Sequence, residues 1–115
     1  MKIDVVLSPS EIDLLPQRDL QNTTAVVFDV LRATSSMVTA LAHGAAEIWP
    51  VRTIEEALAL KAQKPDAKLG GERNGEKIAG FDLGNSPLEY RDCTGAQIIT
   101  TTTNGTIALR ACEHA

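Results

Sequence analysis

An α/β fold with a largely parallel sheet and flanking helices is what this sequence predicts, on three observations. Runs of β-branched and apolar residues alternate with helical patterns, several runs are continuously apolar, and the helical patterns open on recognisable caps. A continuously apolar run such as Ala25-Val26-Val27-Phe28 suits a strand covered on both faces, as right-handed crossovers produce. At 115 residues and 43% hydrophobic content the chain has the size of one domain and needs no staples to build a core.

The five strand candidates are Lys2 to Leu7, Thr24 to Val30, Glu47 to Val51, Ala67 to Leu69 and Gln97 to Thr102. Ser8-Pro9-Ser10-Glu11 is a capping box with proline at the first helical position, opening a short helix that ends before Pro16. After the second strand, Met37, Val38, Leu41, Ala42 and Ala45 fall at helical spacing and His43-Gly44 marks the end, with His43 facing the helix dipole rather than serving as a base. Thr53-Ile54-Glu55-Glu56 opens a further helix that sets Ile54, Ala57 and Leu58 on one face, carries Lys61 and Lys64 near its end, and stops at Pro65. Gly70 to Gly84 holds five of the eight glycines and no sustained apolar period, which predicts a long functional loop. Thr106 to Ala115 reads as a helix without a stop signal. That predicts the N-terminal portion of a longer domain, exposing apolar surface to a missing C-terminal half or to a second copy.

Fifteen acidic against eleven basic residues give a net charge of -4, the wrong sign for nucleic acid or an anionic membrane held by overall charge. Any anion must then be bound locally. No run approaches the ~20 apolar residues of a membrane span and the start lacks a signal peptide's apolar stretch, so a cytoplasmic location is expected. Cys93 and Cys112 show no metal-binding spacing and are expected to be reduced packing residues.

Ligands of open parallel sheets collect beyond the carboxyl ends of strands, and three such ends here are polar. In the first, Asp29 leaves an apolar strand, Arg32 follows, and Thr34 and Ser35 open a helix. The second is Gly70-Gly71-Glu72-Arg73-Asn74-Gly75-Glu76-Lys77, and the third is Thr100 to Thr103 followed by Asn104, Gly105 and Thr106. The helices opening at Ser8 and Thr53 carry their own glutamate in the first turn, whereas those after Asp29 and after Thr103 do not, which leaves amides and a positive dipole end for an external anion. Asn104-Gly105 also fits a hairpin turn, but the helical period after it favours a helix start. Arg32, Arg73 and Lys77 are candidates to offset a multiply charged ligand, and Asp29, with Glu72 and Asp82, to hold Mg²⁺ beside it. No Walker loop, GxGxxG or GxSxG is present.

Four runs occur together and in order: Asp29-Val30-Leu31-Arg32-Ala33-Thr34, Gly70-Gly71-Glu72-Arg73, Gly80-Phe81-Asp82-Leu83-Gly84-Asn85-Ser86-Pro87 and Thr101-Thr102-Thr103-Asn104-Gly105-Thr106. With them the sequence resembles the N-terminal half of the 2-phosphosulfolactate phosphatase family. The resemblance implies that family's α/β fold and Mg²⁺-dependent hydrolysis of (R)-2-phospho-3-sulfolactate to sulfolactate and phosphate, on the route to coenzyme M. It places Asn85 and Ser86 among the substrate-binding residues. Asp29 is open to two roles, aspartyl nucleophile or ligand of a metal whose water attacks, and Leu31 two places on, where haloacid-dehalogenase phosphatases carry a second Asp, favours the ligand. A phosphatase of another small phosphorylated acid and a non-catalytic phospho-ligand-binding fragment are the alternatives.

Overall fold

The computed structural model describes all residues, Met1–Ala115. Four strands, β1 (Glu47–Pro50), β2 (Lys68–Arg73), β3 (Glu76–Lys77) and β4 (Gln97–Thr101), form one sheet in the order β1-β4-β2-β3. The pairs β1/β4 and β4/β2 are parallel and β2/β3 is an antiparallel hairpin, so the expected α/β architecture is present. Four helices accompany it: α1 (Pro9–Ile12), α2 (Ala33–Ala42), α3 (Ile54–Gln63) and α4 (Gly105–Ala111).

The central strand shows why the sheet is covered on both sides. Ile98 and Ile99 are neighbours in β4 and point to opposite faces, and both are fully buried. Ile99 joins Val51, Ala57, Leu69 and Phe81 beneath α3, while Ile98 joins Ala40, Tyr90 and Cys93 beneath α2. Burial of each isoleucine contributes roughly 1.5–3 kcal/mol. Both cysteines are free, as their spacing suggested.

The caps behave as their chemistry dictates. Ser8 and Glu11 form a reciprocal capping box at α1, and the Thr53 hydroxyl accepts the Glu56 amide at α3. His43 caps the end of α2, its Nδ1 bonded to the Thr39 carbonyl oxygen. The apolar faces are shifted from expectation, because Leu58, Val38 and Leu41 are exposed while Ala57, Ala33, Ser36 and Ala40 are buried. At α2 the small residues sit where other backbone comes close: Ala33 lies against Gly105 at the start of α4, and the Ser36 hydroxyl donates to the Asn85 carbonyl.

Two of the five expected strands do not form. Lys2 to Leu7 and Thr24 to Val30 belong to no sheet, and Val26 and Phe28 are 68% and 83% exposed. Strand-forming residues build a ladder only when their backbone groups pair with a neighbouring strand, and these two segments pair with none of the four strands.

The expected loop from Gly70 to Gly84 is in part strand. β2 runs through Gly70, Gly71, Glu72 and Arg73, turns at Asn74-Gly75, where both residues have positive φ, and returns as β3. The glycines mark close approach rather than looseness. Gly71 has a φ of +133°, and a Cβ there would collide with the carbonyl oxygen of Thr101 on β4. Gly71→Ala should therefore lower stability by about 3 kcal/mol or more. Gly80→Ala, also at positive φ but with open space around it, should lose about 1–2 kcal/mol. Chemical denaturation of the two variants measures the difference.

Candidate functional site

β2 and β4 run parallel, so their carboxyl ends lie side by side, and the residues that leave them form one wall of a polar pocket of about 270 Å³. Glu72, Asn74 and Gly75 come from the β2–β3 turn, Thr103 and Asn104 from the loop between β4 and α4. Asp29, Leu31 and Arg32, ahead of α2, and Asn85 complete the lining. A larger cleft of about 320 Å³, bounded by Thr23 to Val27 and the end of α4, has no charged side chain in its lining and offers an anion no counter-charge.

The two helix starts that lack a first-turn acid meet at this pocket. Neither Arg32 at α2 nor Asn104 at α4 makes a side-chain cap. At α2 the Thr34 amide donates to the Asp29 carbonyl, leaving the amides of Ala33 and Ser35 without a protein acceptor. Gly105 begins α4, and a Cβ on it would stand 2.6 Å from the Ala33 methyl and 2.7 Å from a carboxylate oxygen of Asp29. Glycine is required there because α2, α4 and Asp29 converge on one point.

Glu72 is 7% exposed and heavily bonded. Oε1 accepts the Thr103 amide at 2.5 Å, and Oε2 accepts the Thr103 hydroxyl at 2.9 Å and the Gly75 amide at 2.7 Å. Burial pushes its carboxyl up, but these donors, with Arg73 nearby, outweigh it and hold the group below the usual carboxylate value of 4.5. No donor in the protein reaches the carboxylate of Asp29.

The structure divides the expected site residues. Asp29, Arg32, Glu72, Asn85 and Asn104 line the pocket, with Gly105 directly behind it. Thr34 accepts the Asp29 amide, Ser35 donates to the Val30 carbonyl, and Thr106 is buried in reciprocal bonds with Thr102, so these three shape the walls without lining them. Ser86 is taken up in a capping box with Glu89. Arg73 is not a pocket residue: its guanidinium donates to the Glu72 carbonyl, the Arg52 carbonyl and the Thr101 hydroxyl. Lys77 reaches the Asp82 carbonyl instead. Nor does Asp82 join Asp29 and Glu72: its carboxylate accepts the Leu69 amide on β2, and no three acidic, histidine or cysteine side chains assemble as a metal cage.

Leu31, Asn74, Gly75 and Thr103 also line the pocket; the last three lie within the polar strand ends named above, but none of the four was singled out individually. For Asn74-Gly75 the signal was present, since this pair makes the hairpin turn that the same dipeptide at Asn104-Gly105 does not.

Two outcomes test this geometry. Gly105→Ala should cost about 1–3 kcal/mol by forcing the two helix starts apart, and should weaken inorganic phosphate binding in calorimetry. Because the folded-state value of Glu72 is depressed, its contribution is full above the ordinary carboxylate range and is lost as pH falls through the lowered value. Glu72→Gln should thus shrink the drop in Tm between about pH 6 and about pH 3, followed by circular dichroism.

Residues 10–115 match the family model described as 2-phosphosulpholactate phosphatase. A protein of Carboxydothermus hydrogenoformans named probable 2-phosphosulfolactate phosphatase is 50% identical over 110 residues, covering 96% of this chain and 44% of that protein. One of the same name from Clostridium acetobutylicum is 49% identical across 100% of this chain and 49% of its own length. Another, from Thermotoga petrophila, is 53% identical over 106 residues, 90% of this chain and 43% of its own. The chain spans about half the length of the curated relatives it matches. With the family model covering nearly all of the chain and these identities close to one half, the chain belongs to the 2-phosphosulfolactate phosphatase family.

Proposed function

We propose that this chain forms the phosphate-binding part of a phosphatase acting on (R)-2-phospho-3-sulfolactate, releasing sulfolactate and phosphate. The observation that carries the reading is Asp29, a carboxylate with no protein donor, set in a polar pocket where the starts of α2 and α4 converge and the Ala33 and Ser35 amides of α2 have no protein acceptor. An acid left unpaired beside anion-seeking groups is poised for chemistry rather than for support.

Hydrolysis breaks the ester P–O bond while the oxygen of water bonds to phosphorus; the protons of water pass to the departing alkoxide and to phosphate or solvent. The demand on the protein is to hold the phosphoryl group and offset charge on its equatorial oxygens. Arg32 supplies a two-pronged donor for those oxygens, and the free amides at the start of α2 supply fixed dipoles. Asn85 and Asn104 orient the acid portion of the substrate.

Mg²⁺ fits this donor set. A hard cation takes one or two protein carboxylates and completes its shell with phosphate and water, so Asp29 suffices as the anchoring ligand. When bound, the ion supplies positive charge beside the phosphoryl oxygens. Glu72, occupied by three donors, and Asp82, outside the pocket, are not assigned to it.

A second reading, binding of the phosphorylated acid without turnover by this chain alone, is favoured by its covering 44–49% of two relatives. Phosphate release from (R)-2-phospho-3-sulfolactate with Mg²⁺, measured beside calorimetric binding of inorganic phosphate, separates the two. On the first reading Asp29→Asn lowers release by about 10³-fold or more, while Asp82→Asn leaves it unchanged. Binding without release supports the second reading, and full activity in Asp29→Asn removes the assignment of Asp29.

A further inference from the structure

Glu72 faces the pocket, yet its carboxylate is spent on the chain. A carboxylate offers about four acceptor positions. Three are filled by the Thr103 amide, the Thr103 hydroxyl and the Gly75 amide. Thr103 belongs to the loop that delivers Asn104 and the start of α4, and Gly75 to the β2–β3 turn. The carbonyl of Gly75 in turn accepts the guanidinium of Arg32 at 3.4 Å. One side chain therefore joins both walls and, through Gly75, the arginine beside Asp29.

We infer that Glu72 is a positioning residue of the phosphate pocket, clasping the loop after β4 to the turn after β2 so that Arg32 and Asn104 face one ligand. This rests on the phosphate-site reading above and adds to it the device that holds the site open. The chemistry of the three donors explains the residue type. Glutamine at this position turns an N–H toward an N–H or O–H on one side, leaving at least one donor unmet in a nearly buried place. Aspartate has the charge but is one methylene short of spanning the two segments. Arg73 backs the clasp from the sheet side by donating to the Glu72 carbonyl and to Thr101.

A clasp and a direct ligand respond differently to substitution. A residue that only placed negative charge near the anion would, on conversion to glutamine, let phosphate bind more tightly. A clasp loses affinity, and loses it through Thr103. The test titrates inorganic phosphate at saturating Mg²⁺ into the 115-residue chain, Glu72→Gln, Thr103→Val and the double variant, with amide hydrogen exchange in β1 and α3 reporting an intact fold. Glu72→Gln is expected to raise the phosphate Kd about tenfold, Thr103→Val less, and the double variant no further than Glu72→Gln alone. Exchange at the Gly75 and Thr103 amides should rise in Glu72→Gln without ligand. Additive effects, or phosphate bound as tightly or more tightly by Glu72→Gln, overturn the inference while leaving the pocket in place. If Glu72→Gln does not fold, Thr103→Val decides, because unchanged affinity there also overturns it. A parent chain that binds no phosphate removes the pocket reading and the clasp together.

Discussion

β4 passes so close to β2 at the end of the parallel pair that no side chain fits between Gly71 and the carbonyl of Thr101, and the site is assembled from the residues immediately beyond that contact. The left-handed φ of Gly71 bends β2 at its last residues, bringing Glu72 beneath Thr103 and Arg73 against the Thr101 hydroxyl. Both segments leaving the sheet are thereby tied to each other before either reaches the pocket. A second exclusion repeats the device, with Gly105 allowing α4 to start against Ala33 and Asp29. Two glycines thus bring strand ends and helix starts within reach of one ligand, where any larger residue would separate them.

Polar groups between these elements are satisfied with little left over. Thr102 and Thr106 exchange hydroxyl and amide bonds while buried, Ser36 donates to the Asn85 carbonyl, and the Tyr90 hydroxyl donates to the Gly84 carbonyl at 2.6 Å. Burial, with Glu89 close by, pushes the Tyr90 phenol well above its ordinary value, so it stays a neutral donor. In a low-dielectric setting such bonds fix a single geometry, because a broken one leaves a buried group unmet.

How much of this was legible in the residues differs by kind. Caps were readable because they are local: Ser8 with Glu11 and Thr53 with Glu56 need only a few neighbouring positions. The sites without a first-turn acid, after Asp29 and after Thr103, were readable by the same rule, and they meet. Residue roles that depend on the far side of the fold were not. Arg73 and Lys77 sit in a glycine-rich run as cations for an anion, and only the pairing of β2 with β4 and β3 turns them toward Thr101 and Asp82. Gly70 to Gly84 read as a loop because glycine carries no apolar period, although here its absence of a side chain serves strand contact. Val26 and Phe28 show the converse, since strand propensity is expressed only where an edge accepts it.

The observed placement of charge changes what a phosphate ligand requires. Three cations were expected around it and Arg32 alone lines the pocket, while Asp29 stands there without a donor. Glu72 adds formal charge but has it met by two amides, a hydroxyl and the nearby Arg73. A phosphate dianion approaching Arg32 and the α2 amides therefore meets one full positive charge, partial positive charge from the dipole, and the opposing carboxylate of Asp29. That balance is unfavourable for the protein and the dianion alone. A divalent cation would offset the two negative groups, and Asp29 is the pocket carboxylate whose oxygens would be open to hold one. The acidic balance of the whole chain is no obstacle to this, because the attraction is confined to a few ångströms and exposed charges more than about 10 Å away are screened in ordinary salt.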